Sequence, residues 1–355
     1  MTPRGRAEIV KQLALDQGFE RCGIASARRV ARGAYFRSWL EKGRAGSMGY
    51  LHRNTECRVD PGVLVPGAKS VIVVALNYRQ DLPSATLAGA EPTGRVAMYA
   101  WGEDYHAVVR EKLEAVEAGM RMALVEAFTC RICVDTAPLL EREWAAAAGV
   151  GWIGKNTMVL HPELGSYFFL GAMATTLPLA SDGPVDDHCG TCTACLDACP
   201  TAAFPAPYEM DASRCISYLT IEHRSDVPAE LASRLGEWVF GCDVCQQVCP
   251  HNRHAPVTRE PRFAVRPPGP RPSLRELLGW SEDDYRSTLR GSAMKRAKLD
   301  MLKRNAAIVR TNIGRGSSIS TSERGPQLFD AERVTGGEVR HDARQHQAHD
   351  ESDDV

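Results

Sequence analysis

Residues 189–200 read CGTCTACLDACP, and residues 242–250 repeat the theme as CDVCQQVCP. In the first run Cys189, Cys192, Cys195 and Cys199 stand at spacings x2, x2 and x3, closed by Pro200. In the second, Cys242, Cys245 and Cys249 precede Pro250, and Cys215 lies alone between the runs. The chain holds 12 cysteines, and this block gathers most of them. The opening stretch MTPRGRAEIVKQLALDQGF has charges threaded through its apolar positions, which argues against a secretory signal or a membrane span and points to the cytoplasm. In that reducing compartment, tightly spaced thiols are metal ligands more readily than disulfide partners.

A C-x2-C-x2-C-x3-C-P run is the pattern by which bacterial ferredoxins hold four-iron clusters, and in two-cluster forms the last cysteine of a run ligates the other cluster. That rule assigns Cys189, Cys192, Cys195 and Cys249 to one [4Fe-4S] cluster and Cys199, Cys215, Cys242 and Cys245 to a second. The competing assignment is a pair of zinc sites. Zinc sites typically join two separated C-x2-C knuckles and have no use for a third cysteine at x2 or for a closing Cys-Pro. Two clusters imply one-electron transfers into something bound nearby. Cys22 and Cys57 are isolated, and Cys130 and Cys133 form a C-x2-C inside an alternating strand-like run. A redox C-x2-C opens a helix, so all four read as packing thiols.

Upstream of the block, helix and strand signals alternate. Apolar spacing predicts a helix from Pro3 to Gly18, and KSVIVVALNY (69–78) reads as a buried strand. A long amphipathic helix follows over 106–128, then a strand in CRICVDT that ends on Asp135. A helix in PLLEREWAAAAGVG and a strand over 166–177 complete a layered α/β domain, residues 1–180. Composition changes at SDGPVDDHCG, which opens a small metal-held domain, residues 181–258. The link AVRPPGPRPS leads to a helical, basic segment, residues 259–313, and residues 314–355 read as a disordered tail.

At 355 residues, 44% apolar and 25% charged, the chain suits two or three packed units and excludes whole-chain disorder, collagen or coiled coil. A net charge of −1 excludes a globally basic nucleic-acid binder. Locally the balance differs. Arg286, Arg290, Lys295, Arg296, Lys298, Lys303, Arg304 and Arg310 face only Asp300 among the acids of 286–310, and Arg253, Arg259, Arg262, Arg266 and Arg271 would extend the run. Such a run is either a phosphate track or a solvated helix face.

The phrases VDTAPLLEREWAAAAGVGWIGKN, LHPELGSYFFLG, CGTCTACLDACPTAAF, RCISYLTIE and FGCDVCQQVCPHN resemble, in order and spacing, the epoxyqueuosine reductase family over about residues 8–310. The resemblance implies a mixed α+β and α/β fold. A nitroreductase-like domain would hold cob(II)alamin, a ferredoxin-like domain two [4Fe-4S] clusters, and a C-terminal helical segment would contact tRNA; the plan is similar to that of reductive dehalogenases. The implied reaction removes the epoxide oxygen of epoxyqueuosine at the tRNA wobble position, the last step to queuosine. It consumes two electrons and two protons, with the electrons coming from an external donor, in a cytoplasmic monomer without membrane association. The alternatives are a related reductase of a small molecule, and an electron carrier or tRNA-binding module without chemistry of its own.

Asp135 matches the family's catalytic acid, and donation near neutrality requires burial to raise its pKa. Read alone, it is a good N-cap for the helix that follows. Positions resembling the family's corrin contacts are Arg58, Asp135, Val159, Leu170, Ser217 and Gly241, with Lys155 and Asn156 of WIGKN beside them. Their ordinary roles would be a surface ion pair, core packing, turns and local backbone bonding. No Asp-x-His-x-x-Gly signature supplies a cobalt-binding histidine. Family members often continue in helical repeats, whereas TNIGRGSSISTSERG breaks that pattern after about Ile308.

Overall fold

The computed structural model describes residues 1–82 and 91–316. Most of the expected tail, 314–355, therefore lies outside the described residues; its first three residues end a helix, Leu299–Gly316, that runs straight through TNIGRG. Residues Met1–Gly314 pack as one unit.

Four strands make the main sheet: β1 (Arg21–Ser26), β2 (Ser70–Asn77), β3 (Cys130–Cys133) and β4 (Phe168–Thr175), in the order β1-β2-β4-β3. Every pairing is antiparallel, with Ser70 and Cys130 both opposite Thr175. The rule that ligands sit at strand ends of open parallel sheets therefore does not apply here. β2 is buried along its whole length because both faces are covered. Ile72, Val74 and Leu76 face a core shared with α1 (Pro3–Asp16) and α2 (Tyr105–Ala123), while Val71, Val73 and Ala75 face Trp144 and Ala145 of α3 (Glu141–Ala147). α1 starts at Pro3 because Thr2 caps it, its hydroxyl accepting from Gly5 N–H. α2 lies close on β4 at Gly171: a Cβ there would stand 2.7 Å from Val109 Cγ1.

The cysteine runs carry two short helices, Ala194–Asp197 and Val244–Gln247, that pack together. Buried hydrogen bonds fasten the second run to the sheet. Asn252 Oδ1 accepts from Ser166 N–H at 2.7 Å, and its amide donates to Gln246 O at 2.7 Å and Ser166 Oγ at 3.0 Å. The basic C-terminal segment folds back as well. Asn305 on Leu299–Gly316 is fully buried and donates to Thr220 O and Val239 O, both at 2.9 Å. Arg304 beside it donates to the carbonyls of Leu219, His223 and Ser225, so it is structural and leaves the surface track that sequence suggested. Among the described residues, no helix is long and apolar enough to cross a membrane.

Candidate active site

The block cysteines lie close enough to act on one another's charges, Cys195 of the first run on Cys245 of the second included. Burial pushes the Cys195 thiol up to about 11, and Cys249, Cys189 and Cys192 add to the push. Burial also drives Cys245 and Cys242 well up, with Cys215 acting on both and Cys199 on Cys245. Thiols raised in this way become thiolates when a metal supplies the missing positive charge. Among the described residues no three His, Cys, Asp or Glu side chains close on a single ion. Eight sulfurs are the number that two four-iron clusters take. Trp152 Nε1–H donates to Cys189 Sγ at 3.5 Å, and its ring meets His188 and His251 edge-on at 5.0 Å.

Lys155 and Asn156 are committed to these loops. Lys155 Nζ donates to Gly190 O at 2.6 Å and Cys192 O at 3.0 Å; buried Asn156 donates to Cys245 O at 3.4 Å. Three thiols outside the block pack: Cys133, the last residue of β3, is fully buried, and burial pushes Cys22, Cys130 and Cys133 to about 12, which leaves them inert.

Asp135 does not cap α3. It sits two residues beyond β3 with φ +50°, and Thr136 N–H donates back to Val134 O around it, so it is the centre of a γ-turn. Asp104 caps α2 by accepting from His106 N–H, which puts Tyr105 and His106 in the first turn of that helix. His106 then bridges two carboxylates, with Nδ1 2.7 Å from Asp104 Oδ1 and Nε2 3.2 Å from Asp135 Oδ2. Glu141, the first residue of α3, accepts Asp135 N–H at 2.6 Å.

Burial works to raise the Asp135 carboxyl, but hydrogen bonds from His106 and Tyr105 outweigh it, and the group is held below the ordinary carboxylate range. The expected raised pKa is thus corrected: the sequence named the residue without showing its cationic neighbour. For His106, burial lowers and the two carboxylates raise, ending at about 9. Glu141 is pushed up to about 8 by burial and then by the charge of Asp135. At neutral pH the proton therefore rests on His106 and Glu141 while Asp135 is ionised. The Asp135 side chain is 61% open, and its charge acts on Tyr50 and Arg296, which line a neighbouring cleft. Sequence reading missed His106, Asp104, Tyr105 and Glu141; the one available signal was Asp-x-His at the start of the long helix.

Arg58 converges on the same place. Its guanidinium is half-buried, its charge and those of Asp135 and Glu141 act on one another, and its Nε is buried without a partner. Tyr50 and Arg296 carry the cleft on into a cavity of about 510 Å³ lined also by Tyr218, Glu222, His223 and Arg224. Ser217 and Gly241 are linked through Thr220 Oγ1, which accepts from Gly241 N–H at 2.9 Å and donates to Ser217 O at 3.3 Å. Each neighbours a cysteine of the second group, Cys215 and Cys242. Val159 is buried and Leu170 half-buried in the core on the α3 side of the sheet.

An eight-cysteine block of the ferredoxin pattern, in a chain that also presents a carboxylate paired with an imidazole, defines an iron–sulfur oxidoreductase. A model described as a 4Fe-4S double cluster binding domain matches residues 188–252, and one described as "Epoxyqueuosine reductase QueG, DUF1730" matches residues 58–136. The chain is 41% identical over 321 residues to the epoxyqueuosine reductase of Pseudomonas aeruginosa, covering 90% of this chain and 87% of that one. It is 40% identical over 311 residues to that of Leadbetterella byssophila, covering 86% of this chain and 99% of that one. Among solved structures, an epoxyqueuosine reductase with a tRNA-Tyr epoxyqueuosine-modified stem loop superposes with a TM-score of 0.80 at 32% identity, over 88% of this chain and 82% of that one. A Bacillus subtilis epoxyqueuosine reductase whose aspartate catalytic loop is swung out of the active site gives 0.78 at 32%, over the same shares. The chain belongs to the epoxyqueuosine reductase family.

Proposed function

We propose that the chain reduces epoxyqueuosine to queuosine at the wobble position of tRNA, with cobalamin bound in the cleft and fed by the two clusters. The observation that carries the reading is Asp135 held 3.2 Å from His106, whose pKa its two carboxylate partners raise to about 9. The relative solved with an epoxyqueuosine-modified stem loop supports the choice of substrate. The net change adds two electrons and two protons, opens both C–O bonds of the epoxide and releases its oxygen as water.

The residues present suit a corrin. Arg58 has an unpartnered buried Nε, and Gly241 at φ +66° lets the chain pack against Ala97, where a Cβ would stand 2.5 Å from Ala97 Cβ. We assign Arg58, Asp135, Ser217 and Gly241 to it, with Val159 and Leu170 as apolar backing. Cobalamin in that place supplies a reduced metal able to attack or reduce the epoxide. This chain's part is protonic. As a C–O bond opens, the proton held on His106 Nε2 is relayed through the Asp135 carboxylate to the leaving oxygen. Asp104 keeps the imidazole oriented and cationic. Tyr99, half-buried and edge-on to Tyr105, feels the charges of both Asp243 of the second cysteine run and Asp135. The Bacillus subtilis relative with its loop swung out supports a mobile Asp135 turn here. An external donor fills the clusters, and the protein acts as a monomer in which residues 1–180, 181–258 and 259–313 divide corrin binding, electron supply and tRNA contact. The test is a nucleoside digest of tRNA from cells lacking this protein: epoxyqueuosine should accumulate in place of queuosine, and normal queuosine would overturn the proposal.

A further inference from the structure

Asp135 occupies a conformation that an unsupported residue would leave. At φ +50° it is in the left-handed region, where side chains other than glycine are strained, and a γ-turn of this sign is rare. The support comes from six residues downstream. Glu141 turns back so that Oε1 accepts Asp135 N–H at 2.6 Å. The intervening chain is tied at its far end, where Leu140 N–H donates to Arg58 O at 3.3 Å and Leu139 is buried. At the near end, Asp135 rests on its Glu141 bond and on the His106 and Tyr105 contacts of its carboxylate. A fully charged Glu141 would repel that carboxylate. Burial and Asp135 itself keep Glu141 largely protonated near neutrality, and its carbonyl oxygen still accepts.

We propose that Glu141 is a positioning residue, the latch that holds the Asp135 turn folded into the cleft so that the carboxylate meets His106. The proposal rests on the reading of Asp135 as proton donor. The experiment separates the two. Full-length protein with both clusters and cobalamin reconstituted is compared as wild type, Glu141→Ala, Glu141→Gln and Asp135→Asn, by amide hydrogen exchange over residues 134–140 and by kcat and KM with epoxyqueuosine-containing tRNA. Glu141→Ala should exchange about tenfold faster in that segment and lose about tenfold in kcat with KM unchanged, the weight of one hydrogen bond. Glu141→Gln, which keeps a carbonyl acceptor, should restore the protection and most of kcat. Should the alanine variant not fold, Glu141→Met removes the acceptor at similar length. Unchanged exchange in the acceptor-less variant, or a glutamine variant no better than alanine, overturns the latch. An active Asp135→Asn overturns the acid reading and leaves the exchange result standing.

Discussion

His106 bridges two carboxylates, its Nε2 3.2 Å from Asp135 Oδ2 and its Nδ1 2.7 Å from Asp104 Oδ1. One imidazole thus holds a proton between an anchored partner and a solvent-facing one. Asp104 cannot move freely because it also caps α2. A proton lent to Asp135 is therefore lent from a fixed donor.

That arrangement sets the alkaline limit of the reaction. His106 is raised above its ordinary pKa to about 9, so the donor is loaded below that pH and empty above it. The basic limb of kcat should fall near pH 9. His106→Asn should abolish that limb and lower kcat at pH 7 by about 10²-fold, the scale of general acid catalysis, with clusters intact. A variant of full activity would remove the imidazole from the proton path.

Glu141 makes an opposite and separable prediction in stability. Its folded-state pKa of about 8 lies above the unfolded value of 4.5, so its contribution is fully present below about pH 4.5 and is lost as pH rises through 8. Glu141→Gln removes that titration. Its Tm should differ little from wild type at pH 5 and exceed it at pH 9; a gain that did not grow with pH would show that the carboxyl is not buried as described.

The sequence is most informative where chemistry repeats at fixed spacing. KSVIVVALNY announces β2 because a strand covered on both faces is apolar throughout, and the cysteine runs announce the double-cluster domain whose family model matches residues 188–252. The antiparallel pairing of that strand is not readable, since burial pattern carries no strand direction. Neither is the proton chain. Asp104, His106, Asp135 and Glu141 lie on two helix starts and one turn that only the packing of α2 and α3 against one sheet brings together. The direction of the Asp135 pKa is misread from sequence for that reason. Arg304 counts among the surface charges until the fold is known, because a one-dimensional run does not show which side chain turns inward to three carbonyls.

The crossed cluster assignment is tested by pairs of substitutions. If Cys249 shares a cluster with Cys189, Cys189→Ala with Cys249→Ala should lose one cluster and keep about four irons of about eight. Cys199→Ala with Cys249→Ala should then lose both. Loss of both clusters from the Cys189→Ala, Cys249→Ala pair as well would mean that each run closes on its own cluster.

Trp152 should tune the cluster it touches. Its N–H donates to Cys189 Sγ at 3.5 Å, and hydrogen bonds to ligand sulfur stabilise the reduced, more negative cluster. Trp152→Phe should shift one of the two potentials to a more negative value in an EPR redox titration and leave the other in place. Two unmoved potentials would reduce the contact to packing.

The basic C-terminal segment divides into residues that could meet tRNA and residues that cannot. Lys295 and Arg290 are exposed, whereas Arg304 spends its guanidinium on the carbonyls of Leu219, His223 and Ser225. Reversing charge at Arg290 and Lys295 should weaken tRNA binding and reduce the slope of log K against log salt by about one for each phosphate left without its cation. The fold should be untouched. Arg304→Ala should instead lower stability by about 2 kcal/mol, because it strips donors from partly buried carbonyls, and should leave the salt slope of the folded fraction as it was. Binding assays across a salt series, paired with thermal melts, separate the two effects. An unchanged slope in the charge-reversed protein would assign that face to solvent and move the search for the tRNA surface to the mouth of the cleft around Tyr50 and Arg224.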